Sequence, residues 1–272
     1  MSKNLLCLLA FCRLLMFGAP PSAEQPTKAV VSDTKKPTER GNVDSHLGTV
    51  FVDEGGQLVH RDLGESVKWY RKGADQGDVN AQFVLGLLYE SGKGVPQDYG
   101  EAAKWFRKAG DQGDAEAQFL LATMYFNGEG VPKDNGEAIK WYRRSADQGD
   151  AKAQANLGFF YQSGQGVPQD DREAVRWYRK SADQGEAMGQ RNLGSSYERG
   201  QGVPQDYVET HKWFNLAAVR ASGYMQTRIS EMRESIAQKM TPQQIAEAQR
   251  LAREWKPTKA AKQPSQSSEQ RD

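Results

Sequence analysis

Trp69, Trp105, Trp141, Trp177 and Trp213 stand 36 residues apart without a slip, and that regularity marks the chain as an array of like units. Other columns keep the same spacing. Leu85, Leu121, Leu157 and Leu193 form one, and Tyr89, Tyr125, Tyr161 and Tyr197 form another. Val95-Pro96 recurs at Val131-Pro132, Val167-Pro168 and Val203-Pro204, each preceded by Gly-x-Gly and followed by Gln or Lys and then Asp98, Asp134, Asp170 or Asp206. Stacked units of this kind share one continuous core seam, so function has to be sought on the surfaces that the stack presents.

Within a unit, Ala81, Leu85, Gly86 and Tyr89 fall at i, i+4, i+5 and i+8, one face of a helix. Gly92-Lys93-Gly94 ends that helix, because glycine adopts the left-handed backbone that closes it, and Pro96 prevents its continuation. Asp98 is the candidate cap of a second helix, which buries Ala102, Trp105, Phe106 and Ala109, and Asp111-Gln112-Gly113-Asp114 turns the chain into the next unit. The pattern predicts an all-α solenoid of stacked helical hairpins: a lone second helix at 64–77, then hairpins at 79–113, 115–149, 151–185 and 187–221. Beyond Val219-Arg220-Ala221-Ser222 the pattern decays. Two capping helices are expected over 223–256, the second starting at Thr241-Pro242 and bearing Gln243, Gln244, Glu247, Gln249, Arg250, Arg253 and Glu254 on its outer face, then a disordered tail at 257–272.

Lysine and arginine number 36 against 35 acids, so no strong field recruits nucleic acid or an anionic membrane. Residues 1–23 carry Lys3, an apolar run from Leu5 to Phe17 and no acid before Glu24, the pattern of a secretory signal peptide too short for a span of about 20 residues. Arg13 within the run and Pro21 before Ala23 depart from that pattern, and an uncleaved anchor, a mitochondrial presequence or a misassigned start stay open. Cys7 and Cys12 both lie in this segment, so a processed chain has no disulfide and no membrane span. Residues 24–63 read as a flexible spacer, with Leu47 to Val52 and Leu58-Val59 as a candidate N-terminal cap.

The string Ala-x-x-x-Leu-Gly-x-x-Tyr-x-x-Gly-x-Gly-Val-x-x-Asp, followed by Ala-x-x-Trp-Tyr/Phe-x-Lys/Arg, resembles the Sel1-like repeat, a relative of the tetratricopeptide repeat, over residues 64–222. Lys212 to Ala218 and Met240 to Ala252 are similar to the C-terminal extension of bacterial members. The resemblance implies a right-handed α-solenoid serving as an adaptor or scaffold for a protein or peptide partner, exported to a bacterial periplasm or secreted. A cysteine-rich branch of the family is associated with lactamase activity. This chain lacks that branch's paired cysteines, so a lactamase-like hydrolase is the rival reading and a self-associating structural protein a third.

No catalytic, metal or cofactor site is expected. The Gly-x-Gly loops follow helices and contain proline, unlike phosphate cradles, which follow a strand. Ser32 and Lys35 match Ser-x-x-Lys but fall in the spacer, and His46, His60 and His211 have no second ligand at metal spacing. The five tryptophans and the Tyr89, Tyr125, Tyr161 and Tyr197 column are assigned to the structural core, because a folding requirement repeats whereas a ligand contact need not.

Columns that vary are free for function. Aligned on the tetratricopeptide pattern, positions 80, 83, 87, 90 and 91 and their copies face the concave side. Phe83, Leu87, Phe119, Thr123, Phe126 and Phe159 then form a strip across three units, ending at Arg191 and Arg199. That strip is the candidate partner-binding groove, since contiguous exposed apolar surface is rarely idle.

Overall fold

The computed structural model describes Val50–Val52, Leu58–His60 and residues 63–258 of the 272. The signal-peptide segment, most of the spacer, with Ser32, Lys35 and His46, and residues 259–272 lie outside the described residues. On the stretch given as a candidate cap a short hairpin forms, β1 (Val50–Val52) running antiparallel to β2 (Leu58–His60) with Phe51 opposite Val59.

Eleven helices follow among the described residues. A lone α1 (Leu63–Asp75) precedes four hairpins: α2 (Val79–Ser91) with α3 (Tyr99–Asp111), α4 (Ala115–Asn127) with α5 (Asn135–Asp147), α6 (Ala151–Ser163) with α7 (Asp171–Asp183), and α8 (Ala187–Arg199) with α9 (Tyr207–Arg220). Then come α10 (Gly223–Ala237) and α11 (Pro242–Glu254). The solenoid of stacked hairpins expected from the 36-residue spacing is the fold.

Aspartates start seven of the eleven helices among the described residues. The N–H groups of Glu101, Glu137, Glu173 and Glu209 donate to Asp98, Asp134, Asp170 and Asp206 at 2.9, 3.0, 3.0 and 3.0 Å. Asp78, Asp114 and Asp150 cap the first helices in the same way, at 2.8, 2.8 and 2.6 Å. Each such cap is worth about 1 kcal/mol. The first loop glycine closes its helix in the left-handed region, as at Gly128 (φ 77°). The second glycine is required for a different reason. A Cβ on Gly130 would stand 2.2 Å from the Tyr99 carbonyl carbon and oxygen, so only glycine lets each loop lie on the start of the preceding unit's second helix.

The tryptophan column packs from one unit onto the one before. A Cβ on Gly110, in the last turn of α3, would meet the Trp141 ring at 3.2 Å, and the Arg107 guanidinium, also on α3, lies 5.6 Å from that ring's centre. Trp105, Trp141, Trp177 and Trp213 are buried accordingly. Trp69 is not: it is 57% exposed, a correction to its assignment to the core. Its place in α1 has no earlier helix among the described residues to supply the covering surface.

Two polar columns tie the units together, and neither was singled out in the sequence. Gln82, Gln118, Gln154 and Gln190 are buried, and each donates its Nε2 to a carbonyl closing the preceding second helix, Gln118 to Gly110 at 2.7 Å. Their Oε1 atoms accept from Gln112, Gln148 and Gln184 of the following turns, each at 2.8 Å. The ladder stops at Gln190, where the residue in the next turn is Arg220 and the buried Oε1 has no partner. The second column joins the guanidiniums of Arg71, Arg107, Arg143 and Arg179 to the hydroxyls of Tyr89, Tyr125, Tyr161 and Tyr197. These tyrosines are therefore half-buried, their rings against the core and their hydroxyls at its edge.

At the far end, α11 places Ala248 and Ala252 inward, and the Trp255 ring meets Trp213 edge-on at 6.3 Å. Thr241 and Gln244 form a reciprocal capping box behind Pro242. Thr258 N–H donates to the Asp183 carbonyl at 2.8 Å, so residue 258, expected in the tail, docks on the array. Among the described residues no helix is long and apolar enough to cross a membrane.

Candidate functional groove

Among the first helices, α6 and α8 of consecutive units touch directly. The residues expected to line a groove divide into two sets. Phe83 is 6% exposed, its ring 6.0 Å from Phe106, and Thr123 is 4% exposed with its hydroxyl 2.9 Å from that of Tyr142. Both belong to the core rather than to a binding surface, because Phe106 and Tyr142 of the paired second helices reach up to meet them. Leu87, Phe119, Phe126 and Phe159 remain half-buried.

Three of these the structure brings together. Phe126 meets Phe159 edge-on at 6.3 Å, and both rings rest on Phe160, at 5.4 and 5.9 Å. Phe160 lies 5.9 Å from Tyr142, which lies 5.7 Å from Phe119. The half-exposed rings thus stand on a buried aromatic floor drawn from α5 and α6, an arrangement that fixes their rotamers and spares a ligand the cost of ordering them. Lys133 holds its ammonium 5.3 Å from the Phe126 ring. Leu87 sits one unit earlier, on α2, against the core.

Charge is unevenly placed along these helices. At the end formed by the first unit, burial and then the Glu129 carboxylate push the Glu90 carboxyl up to about 7. At the other end Arg191 is half-buried and Arg199 exposed, both on α8. Burial pulls the Arg191 guanidinium below its ordinary value. Burial likewise pushes the Tyr178 phenol up, opposed by those two arginines.

Separately, α7 and the loop at Gly202-Val203 border a cleft containing Arg172, Arg176, Arg179 and Lys180. Three of the four are engaged: Arg176 with Glu173, Arg179 with Tyr197, and Lys180 over the Trp177 ring. Among the described residues no group of three histidine, cysteine, aspartate or glutamate side chains is placed to hold a metal ion.

The Sel1 repeat family matches five consecutive segments, 47–78, 79–114, 115–150, 151–186 and 187–218. The chain belongs to the Sel1 repeat family. The first Sel1 segment takes in the β1–β2 hairpin where a first helix would stand, so the family's match begins upstream of residue 64. A Sel1 repeat protein from Oxalobacter formigenes is 32% identical over 74% of this chain and 82% of its own, with a TM-score of 0.63. A protective antigen of uropathogenic Escherichia coli strains, displaying an SLR fold, is 30% identical over 79% of this chain and 61% of its own, with a TM-score of 0.38. No curated protein sequence matches the chain. Sel1 repeats generally mediate protein interactions, and that much of the expected function stands with the family.

Proposed function

We propose that the chain is a non-catalytic scaffold that binds a peptide or protein segment along the inner layer of its first helices, with Phe119, Phe126 and Phe159 as anchors. The single observation carrying this reading is the run of half-exposed rings on a rigid aromatic floor, in columns that vary between units whose core columns repeat. Aromatic anchors in preformed pockets dominate binding energies of this kind. Leu87 extends the strip toward the first unit, and polar neighbours set the register.

We further read residues 1–23 as an export signal, which places the groove in the periplasm or outside the cell. A reporter active only after export, fused behind residue 23, tests that reading. A silent reporter with stable fusion protein refutes it.

The groove is tested by affinity capture from the native source with wild-type protein and a Phe126→Glu/Phe159→Glu variant side by side, read by mass spectrometry. Melting temperature and helical signal show that the variant is folded. Species held by wild type and lost from the variant support the groove. Identical captures sink it.

A further inference from the structure

His211 stands in a column that is otherwise apolar. Val67, Ala103, Ile139 and Val175 hold the same place in the earlier second helices, and all five are buried. The column points at the unit that follows. A Cβ on Gly94 would stand 3.0 Å from the Val67 side chain, and one on Gly166 would stand 3.1 Å from that of Ile139. For His211 the unit that follows is the capping helix α10 and its connection to α11.

Contacts on either side fix what faces the ring. Tyr207, His211 and Asn215 make one i, i+4, i+8 stripe of α9. Lys239, just past α10, holds its ammonium 5.7 Å from the centre of the Tyr207 ring, and Arg233 of α10 donates to the Asn215 side-chain oxygen at 3.1 Å. The end of α10 therefore runs antiparallel to α9, and Ile236, fully buried and midway between the two cations, falls opposite His211. An imidazole is seated against an apolar side chain with a cation about one turn away on each side.

The neighbouring carboxylates are held elsewhere. Glu234 stands 3.9 Å from Arg233 and is 70% exposed, while Glu209, on the same helix as His211, meets Lys212 at 3.1 Å and accepts from the Trp213 indole at 2.9 Å. Among the described residues α8 and α11, which also pack on α9, bring no charged group whose field reaches the ring. The Nδ1 atom is buried and has no hydrogen-bond partner. On a neutral ring that nitrogen is an idle acceptor. On a protonated ring it becomes a buried N–H with nothing to accept it, on a cation placed between two others. Burial first, and then the Arg233 guanidinium, hold the imidazole below its ordinary value of 6.5.

We propose that His211 is an acid-operated latch on the C-terminal cap: when its imidazole takes a proton, α10 lifts from α9 and uncovers the seam that Met225, Ile229 and Ile236 close. The folded state binds this proton less readily than the open one. The ring's contribution to holding the cap is therefore complete above about pH 6.5 and is lost as pH falls below it. The four earlier second helices, apolar at this position, have no such response, so acid frees the end of the array before its middle. The latch stands apart from the groove reading and does not depend on any ligand.

The test is hydrogen–deuterium exchange of the full chain at about pH 7.5 and about pH 5, corrected for intrinsic exchange, with α2 and α3 as the internal reference. Opening of α10 relative to that reference is expected to rise about tenfold or more in wild type on acidification, a factor of ten for each unit by which the ring is held down. His211→Val, which installs the residue found at Val67 and Val175, should lose the rise while keeping the exchange of wild type at the higher pH. An NMR titration of the His211 ring in folded wild type reads its midpoint without any substitution, so the latch stays testable if the variant does not fold. A midpoint at or above 6.5 overturns the proposal. So does a rise that is uniform along the array, one that His211→Val retains, or no rise in α10 at all.

Discussion

Trp141 and Trp69 occupy the same position in different units, yet one is 4% exposed and the other 57%. Nothing in the residue or its own helix accounts for the difference. It comes from the unit before, which for Trp141 offers the last turn of α3 and for Trp69 offers no helix among the described residues. In a stack, burial is a property of an interface between units, and stability is the sum of those interfaces.

The comparison breaks most sharply under truncation. Trp141→Ala is expected to lower unfolding stability by about 3–5 kcal/mol, the ordinary loss for a buried large side chain, read by urea denaturation. Trp69→Ala should cost under about 1 kcal/mol on the same axis. Equal losses at the two sites would show that something else covers Trp69. The glutamine ladder makes a smaller version of the contrast. Gln118→Ala removes a bond to Gly110 and the acceptor that it offers to Gln148, for a loss of about 1–3 kcal/mol. Gln190→Ala removes a single bond at 3.2 Å and an oxygen that was already unpaired, and should cost about 1 kcal/mol less. A reversed order would mean that the ladder does not couple the units.

The mildest contrast concerns pH. Glu90 has its folded-state pKa raised from 4.5 to about 7, so the folded protein holds a proton that the unfolded chain has released between those values. Stability contributed by this group is therefore full below about pH 4.5 and declines as pH rises through about 7. Glu90→Gln should raise stability by on the order of 1 kcal/mol above pH 8, with the gain vanishing below pH 4. Parallel pH profiles of wild type and variant would refute the assignment.

The helical boundaries, caps and loop closures were legible in the sequence because each depends on residues within a few positions of one another, as with Asp98 and Gly128. The proposed groove was legible only in part. Phe83 and Phe119 share a column, yet Phe83 is buried and Phe119 half-buried, and that distinction is set by the neighbouring helices rather than by either residue. The ladder was missed for another reason. Gln82, Gln118, Gln154 and Gln190 repeat as faithfully as the tryptophans, but a polar side chain shows no burial until the preceding unit is in place, where these side chains close the carbonyl ends of second helices. A polar column as invariant as an apolar one is a signal of interior hydrogen bonding that periodicity alone can supply.

Each rung of that ladder spans 30 residues, from one turn back to the helix of the unit before. A single residue gained or lost in a loop would leave a rung out of reach. Removal of 115–150 would not, since Gln154 would inherit the place of Gln118 opposite Gly110. The array can therefore change length only in whole steps of one unit, as a chain does when links are added or taken out. Each step also lengthens or shortens the inner face, so the same rungs that hold the stack together set the grain in which its binding surface can be redrawn.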